Sequence, residues 1–214
     1  MNKARHFKSL LDINKNEFIK LIERSIELKE ESKNKVINNT FQNKTMAMIF
    51  KKNSTRTRVA FETAMTTMGG HAIFLSSDTT QINRGEDLAD TAKVLSTYGN
   101  GFMLRSDSDE KLEEFSKHLT IPIINGLSPS SHPTQVLSDV FTVEEITNKP
   151  ISKINICWIG DTNNVLNSLI AASVKFSFKL NIGCPKKYKP KKSVLDWVKK
   201  NKGKINIFND AQKA

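Results

Sequence analysis

Cysteine and aromatic residues are scarce in this chain. Its 214 residues include two cysteines, two tryptophans and two tyrosines, and aromatic side chains make up 7% of the total. Two cysteines exclude a disulfide-rich scaffold, and Cys157 and Cys184 lack the spacing of a metal site. Both have apolar neighbours in the sequence, so we expect them to be reduced core thiols of a cytosolic protein.

Long apolar runs and glycine-rich loops are also absent. No stretch of about 18 apolar residues occurs, so we expect no membrane span. The first residues contain no apolar segment typical of a secretory signal, and we therefore expect a cytoplasmic protein. The sequence has neither a GxGxxG nor a GxxxxGK(S/T) motif and no His/Cys cluster. We expect no nucleotide loop, no metal and no other cofactor.

The positive charge of the chain is unevenly distributed. The net charge is +11, yet residues 1–150 contain 20 Lys and Arg against 19 Asp and Glu. Residues 151–214 contain 13 Lys, no Arg and three acidic residues. Because Arg is the residue that pairs bidentately with bases, and because aromatic stacking platforms are missing, we interpret this part as a solvated lysine-rich face. We expect no nucleic-acid partner.

Apolar strands alternate with amphipathic helices along the chain. The predicted strands are 45–50, 71–75, 101–104, 121–124, 154–159, 179–184 and 204–208, and the predicted helices are 15–35, 54–69, 87–98, 108–119, 133–146, 163–176 and 191–200. Ser54 is expected to cap the second helix, and the Gly69-Gly70 pair to end it. Continuous apolar strands separated by helices predict a doubly wound parallel α/β sheet.

The strand–helix pattern restarts after residues 148–150, Asn-Lys-Pro. We therefore predict one domain over residues 1–148 and a second over residues 149–214. The second has only three predicted strands and two helices, which would leave sheet face and sheet edges exposed. We expect an incomplete second α/β domain of the Rossmann-like type, in a chain that is truncated on its C-terminal side.

Polar clusters follow four of the predicted strands, where ligands of open α/β sheets bind. Residues 54–58 place three hydroxyls and two guanidiniums at a helix N-terminus, which favours an anion. Arg105 follows the third strand and is expected to reach the same anion. His132 and Gln135 start another helix, where His can polarise a carbonyl oxygen and Gln can bind an amide. Residues 161–164 follow the fifth strand. The alternative for each cluster is an ordinary helix cap or surface side chain.

These motifs resemble those of one enzyme family. Residues 54–62, Ser-Thr-Arg-Thr-Arg-Val-Ala-Phe-Glu, are similar to the carbamoyl phosphate motif of the aspartate/ornithine carbamoyltransferases. So are residues 132–135, His-Pro-Thr-Gln, followed by a helix that contains Asp139. The order and spacing of Gln81, residues 86–95 and Arg105 also match. Residues 158–164, Trp-Ile-Gly-Asp-Thr-Asn-Asn, resemble the ornithine branch of the family.

The resemblance implies that the carbamoyl group of carbamoyl phosphate is transferred to the δ-amine of L-ornithine, giving L-citrulline and phosphate with no cofactor or metal. It implies a homotrimer in which Gln81 reaches the site of a neighbouring subunit. Asn164 is expected to contact ornithine, and Arg56, Arg105 and His132 to be catalytic. The residues expected to bind carbamoyl phosphate are Ser54, Thr55, Arg56, Thr57, Gln81, Arg105, His132, Pro133, Thr134 and Gln135.

Two alternatives remain open from the sequence. The chain is either an active enzyme or an inactive remnant or anion-binding module, since two family motifs, His-Cys-Leu-Pro and Asp…Ser-Met-Gly, do not occur in it. We accordingly expect the chain alone to bind carbamoyl phosphate weakly and to turn over little. The amine acceptor is either ornithine or another amine, namely aspartate, putrescine or an N-acylated ornithine. Of arginine synthesis and arginine breakdown, we expect synthesis.

Overall fold

The structure of the protein is a computed structural model that describes residues 4–51, 53–76 and 87–214. Its helices are α1 (Lys15–Lys33), α2 (Thr55–Thr67), α3 (Leu88–Tyr98), α4 (Asp109–His118), α5 (Pro133–Thr147), α6 (Asn164–Phe176) and α7 (Lys192–Lys200). Its strands are β1 (Thr45–Phe50), β2 (His71–Ser76), β3 (Gly101–Arg105), β4 (Ile123–Leu127), β5 (Asn155–Ile159), β6 (Lys179–Gly183) and β7 (Ile205–Phe208). The strands pair in parallel, which confirms the predicted α/β class.

The described part of the chain forms two compact units. One consists of residues up to 8 and 23–129, and the other of residues 9–22 and 130–214. The first unit contains a four-stranded sheet with the order β2-β1-β3-β4, and the second contains a three-stranded sheet with the order β5-β6-β7. In the first sheet the chain moves from β1 outward to β2 and then crosses back to β3, so β1 and β3 flank the point where the direction of winding reverses.

Alternate residues of β1 and β3 build two cores, one on each face of the first sheet. On one face, Ile49 and Phe102 pack with residues of α3 and α4 such as Ala92 and Phe115. On the other face, a smaller buried cluster centred on β1 and β3 packs against Phe61 of α2. Helices therefore cover both faces, and the prediction of a doubly wound sheet is confirmed.

Strand β4 begins and ends later than the sequence predicted. The apolar run indicated a strand over 121–124, whereas β4 spans Ile123–Leu127. Pro122 has no N–H to donate to the ladder, and only its carbonyl takes part, accepting the N–H of Phe102 at 2.9 Å. The strand then continues through Asn125, which is fully buried. Three hydrogen bonds within the unit satisfy the polar atoms of its side chain.

The second unit is built around α6, whose apolar face is buried. Leu166, Ile170 and Phe176 are each at most 1% exposed, and the ring of Phe176 stacks on that of Phe18 with a centroid distance of 3.6 Å. Strand β6 is the centre of the sheet, and its Leu180 side chain is fully buried. These contacts give the second unit a core of its own.

The two cysteines have different environments. Both are free thiols, and Cys184 is buried whereas Cys157 is exposed. The prediction of a core thiol is therefore wrong for Cys157. Ile156 and Trp158, its neighbours in β5, are half-buried because they lie on the opposite face of the strand. In a strand, the apolar residues on either side of Cys157 in the sequence therefore do not indicate that Cys157 itself is buried.

No helix in residues 4–51, 53–76 and 87–214 combines the length and the apolar character needed to cross a membrane. Within the same residues, no group of three or more His, Cys, Asp and Glu side chains lies close enough to hold a metal ion.

Candidate active site

The first turn of α2 receives no cap hydrogen bond from the side chain of its N-cap residue. Ser54 occupies the N-cap position as predicted, with extended backbone angles, but its hydroxyl forms no cap hydrogen bond. Thr55 and Thr57, which each carry a hydroxyl group, follow in the first turn. Uncapped N–H groups and the positive end of the helix dipole favour an anion at this position.

Arg105, the last residue of β3, has a buried nitrogen that lacks a partner. Its Nε atom forms no hydrogen bond with any residue in the described part of the chain. Burial lowers the pKa of Arg105 from its ordinary value, but a guanidinium remains charged at neutral pH. Because an unsatisfied buried N–H is unfavourable, Arg105 is suited to an anionic ligand that supplies an acceptor.

The sheet holds Arg105 next to the loop that leads to Ser54. Arg105 pairs with Phe50 in the β1–β3 register, and its carbonyl accepts the N–H of Lys51 at 2.9 Å. This contact lies where the winding of the sheet reverses, at the carboxyl ends of β1 and β3. Open α/β sheets bind their ligands at such a point.

The two arginines of the 54–58 motif have different surroundings. The Nε atom of Arg58 donates to Glu62 at 2.8 Å, and its guanidinium lies 3.7 Å from the ring centroid of Phe74. Arg56 is exposed and forms no hydrogen bond or ion pair with the described residues. Glu62 and Phe74 thus hold the Arg58 side chain in place, whereas the Arg56 side chain is available to a ligand. The family resemblance already selected Arg56 and not Arg58 as a site residue, but the contact of Arg58 with Phe74 of β2 could not be predicted from local spacing.

A cleft of about 470 Å³ borders this motif. Lys51, Ser54, Thr55, Arg58 and Phe74 are among its lining residues. Thr57, Arg56 and Arg105 do not line it. The cleft therefore belongs to the α2–β2 side of the motif and not to the β3 side where Arg105 lies.

Helix α5 begins with a second N-terminus that lacks a side-chain cap. His132 is its N-cap residue and is 9% exposed, and Pro133 occupies the first helical position. Nδ1 of His132 lies 3.4 Å from Oγ1 of Thr134. Gln135 is exposed, and its side-chain N–H donates to the carboxylate of Asp139 at 2.8 Å.

Ser168 of α6 connects the α5 start to the α6 start. Its hydroxyl accepts the backbone N–H of His132 at 2.8 Å and donates to the backbone carbonyl of Asn164 at 3.0 Å. The neighbouring Asn163 caps α6, because its side chain accepts two N–H groups of the first turn. Sequence reasoning missed Ser168. A serine one turn after Asn164 on the buried face of an apolar helix was the available signal.

The predicted site residues thus fall into two groups, each within one unit. Ser54, Thr55, Arg56, Thr57 and Arg105 lie at the carboxyl ends of β1 and β3 or in the turn that follows. A second group is connected through Ser168 and consists of His132, Pro133, Thr134, Gln135 and Asn164. Gln81 and residue 86 of the predicted family match lie outside the described residues. The fold and the first group define an α/β protein suited to binding an oxyanion such as phosphate.

Two family models match consecutive parts of the chain. Residues 5–145 match the carbamoyl-P binding domain of aspartate/ornithine carbamoyltransferase, and residues 152–214 match the Asp/Orn binding domain of the same family. The chain belongs to the aspartate/ornithine carbamoyltransferase family, which confirms the resemblance predicted from its motifs.

Individual relatives agree with this assignment. The ornithine carbamoyltransferase of Ruthia magnifica subsp. Calyptogena magnifica is 43% identical over 210 residues, covering 98% of this chain and 69% of that protein. The crystal structure of ornithine carbamoyltransferase from Burkholderia thailandensis superposes with a TM-score of 0.92 at 34% identity, covering 98% of this chain and 71% of that one. The anabolic ornithine carbamoyltransferase of Campylobacter jejuni gives a TM-score of 0.89 at 39% identity, covering 97% of this chain and 69% of that one.

Proposed function

We propose that this protein transfers the carbamoyl group of carbamoyl phosphate to the δ-amine of L-ornithine, giving L-citrulline and phosphate. The observation that carries the proposal is Arg105, whose buried Nε lacks a partner among the described residues and whose carbonyl accepts the N–H of Lys51 in the loop that leads to the start of α2. When the neutral amine attacks the carbamoyl carbon, negative charge develops on the carbonyl oxygen and then on the departing phosphate. Preorganised cations and N–H groups stabilise both charges.

We assign the individual roles by combining this chemistry with the family match. Ser54, Thr55, Arg56 and Thr57 bind the phosphate, and Arg105 contacts the phosphate and the carbonyl oxygen. In the second group, His132 donates to the carbonyl oxygen, Gln135 binds the carbamoyl NH₂, and Asn164 contacts ornithine. Pro133 and Thr134 complete the set of residues that bind carbamoyl phosphate. Arg56, Arg105 and His132 are the catalytic residues in this proposal.

Ornithine is the acceptor that the relatives favour. The similar proteins described above are named ornithine carbamoyltransferases, and residues 158–164 resemble the ornithine branch of the family. Aspartate, putrescine and N-acylated ornithine are the competing acceptors, and an assay with each amine identifies the substrate. We place the reaction in arginine biosynthesis in the cytoplasm, in line with the Campylobacter jejuni enzyme, which is described as anabolic.

We further propose that residues 1–148 form the carbamoyl phosphate domain, that residues 149–214 belong to the ornithine domain, and that three copies assemble with Gln81 reaching the neighbouring site. Mixing Gln81→Ala with Arg56→Ala protein tests the assembly. If Gln81 acts in the neighbouring subunit, some sites of the mixed trimers contain both native residues, and binding of carbamoyl phosphate returns. If it acts within its own subunit, mixing restores no site.

Calorimetric titration of carbamoyl phosphate tests the central proposal. We expect binding by the native chain and its loss in Arg56→Ala. Arg24→Ala is the matched control, because it removes the same charge from a surface helix where Arg24 pairs with Glu27 and Glu31. Equal affinity of the native and Arg56→Ala proteins would remove the phosphate site from the proposal. Binding without citrulline formation would favour the alternative of an anion-binding module.

A further inference from the structure

The side chains of Gln135 and Asp139 form a pair at the start of α5. They are one helical turn apart, and Nε2 of Gln135 donates to Oδ1 of Asp139 at 2.8 Å. An ionised carboxylate only accepts hydrogen bonds, so the Gln135 amide must turn its NH₂ toward Asp139. Its carbonyl oxygen, which has two lone pairs, is therefore directed away from Asp139 and forms no hydrogen bond with the described residues.

We propose that Asp139 is a positioning residue that fixes the orientation of the Gln135 amide, so that Gln135 presents an acceptor to the NH₂ of carbamoyl phosphate. This inference rests on the role proposed above for Gln135. A freely rotating amide would offer its NH₂ as readily as its oxygen, and two NH₂ groups cannot pair with each other. The orientation set by Asp139 would therefore let the site distinguish a carbamoyl group from an acetyl group, which has CH₃ in place of NH₂.

The surroundings of Asp139 favour positioning over simple helix stabilisation. Acidic residues stabilise a helix through its dipole in the first turn, whereas α5 begins at Pro133 and Asp139 lies in its second turn. The Asp139 side chain is half-buried, and burial raises the pKa of its carboxyl while the bond from Gln135 opposes the shift. The Asp139 carboxylate thus lies in an environment that disfavours its charge, and it accepts a hydrogen bond from Gln135. This arrangement fits a residue that acts by orienting Gln135.

Titrations with three ligands test the proposal on the whole chain. The ligands are carbamoyl phosphate, acetyl phosphate and inorganic phosphate, and the quantity compared is the affinity ratio of the first two. We expect Asp139→Ala to reduce this ratio by up to about tenfold, the worth of one neutral hydrogen bond. Asp139→Asn can offer Gln135 either an acceptor or a donor, so its ratio should lie between those of the native chain and Asp139→Ala. Asp196→Ala, which removes the same charge from α7, should change nothing, and inorganic phosphate should bind all variants equally.

The side-chain NH₂ resonances of Gln135 give a readout that needs no ligand. They are identified by their loss in Gln135→Ala, and in the native chain their shifts should follow the titration of Asp139. In Asp139→Asn that pH dependence should disappear. Resonances that do not titrate in the native chain would overturn the proposal.

The ligand ratios separate failure of the positioning role from failure of the proposed function. An unchanged ratio in Asp139→Ala, together with a collapsed ratio in Gln135→Ala, would show that Gln135 acts without help from Asp139 and would overturn the inference alone. A native ratio in Gln135→Ala, or no binding of carbamoyl phosphate, would overturn the role of Gln135 and the inference with it. In the Gln135→Ala background, Asp139→Ala should have no further effect on the ratio.

Discussion

Ser168 illustrates how one hydroxyl can connect the starts of two helices that the proposed function assigns to the substrates. It is 3% exposed, and it accepts from His132 while donating to Asn164. In Ser168→Ala, the buried N–H of His132 loses this acceptor, and we expect the free energy of unfolding in urea to fall by about 1–3 kcal/mol.

Ser173→Ala is the matched control for this prediction. Ser173 lies on the same helix and is 1% exposed, but its hydroxyl donates only to the carbonyl of Ile170 within α6. That carbonyl keeps its helical N–H partner when the hydroxyl is removed, so we expect a loss below about 1 kcal/mol. Equal losses in the two variants would contradict the bridging role of Ser168.

Asp139 should make the stability of the protein depend on pH. Burial raises the pKa of its carboxyl, so the folded chain retains this proton to higher pH than the unfolded chain. The free energy of unfolding therefore falls as pH rises from the ordinary pKa of Asp, about 4, through the raised value, and it stays lower above it. Asp139→Asn cannot ionise, and we expect it to be more stable than the native protein at neutral pH.

Denaturant unfolding of both proteins over a series of pH values checks this expectation. The difference in stability should shrink toward zero below about pH 3, where Asp is protonated in the folded and unfolded states alike. A difference that is constant across pH would mean that burial of the Asp139 charge is not its cause.

For individual residues, the sequence predicts which side chains can donate hydrogen bonds to a ligand better than it predicts the contacts that orient those side chains. The density of hydroxyls and guanidiniums in residues 54–58 and the Pro after His132 were sufficient to identify two helix starts. The bonds that orient these residues depend on side chains from other elements or on rotamers, as for Arg58 with Phe74 and for His132 with Ser168. Neither is encoded in local spacing.

The end of α2 combines sequence-encoded geometry with close packing. Gly69 has a positive φ of 78°, and the N–H groups of Gly69 and Gly70 bond to the carbonyls of Thr66 and Met65. These are the two bonds of a Schellman motif, which confirms that the Gly-Gly pair ends the helix. This helix end could be predicted because its requirement for glycine is local.

Gly70→Ala should destabilise the protein for a reason that the sequence does not show. A Cβ at this position would lie 2.7 Å from Met65 Cε, and 2.9 Å from Cβ and 3.0 Å from the carbonyl oxygen of Phe41. We expect overpacking to lower the free energy of unfolding by about 1–3 kcal/mol. In the control Gly101→Ala, the new Cβ would meet only Met46 Cε at 3.7 Å, so thermal or urea unfolding should show little or no loss. Similar losses in both variants would rule out steric crowding at Gly70.

Across the whole molecule, alternation of strands and helices was enough to predict parallel sheets, because parallel neighbours need a crossover. It was not enough to predict the order β2-β1-β3-β4, since either direction of each crossover is compatible with the same alternation. The order matters for function, because it places Arg105 beside the loop that follows β1. Membership of the family, matched at residues 5–145 and 152–214, indicates the fold and with it the strand order, which local spacing does not.

The proposed site contacts the phosphate group and the carbamoyl group of carbamoyl phosphate with different residues. This division gives a prediction for the whole chain. In the proposal, residues 54–57 and Arg105 bind the phosphate, whereas His132 and Gln135 bind the carbamoyl group. In hydrogen–deuterium exchange, we expect inorganic phosphate to slow amide exchange in the first turn of α2 and carbamoyl phosphate to slow it there and in the first turn of α5. Helix α7 carries three lysines and serves as the internal control, and neither ligand should protect it. Protection of α7 in place of α2 would move the anion to the lysine-rich surface and contradict both the site and the reaction proposed for it.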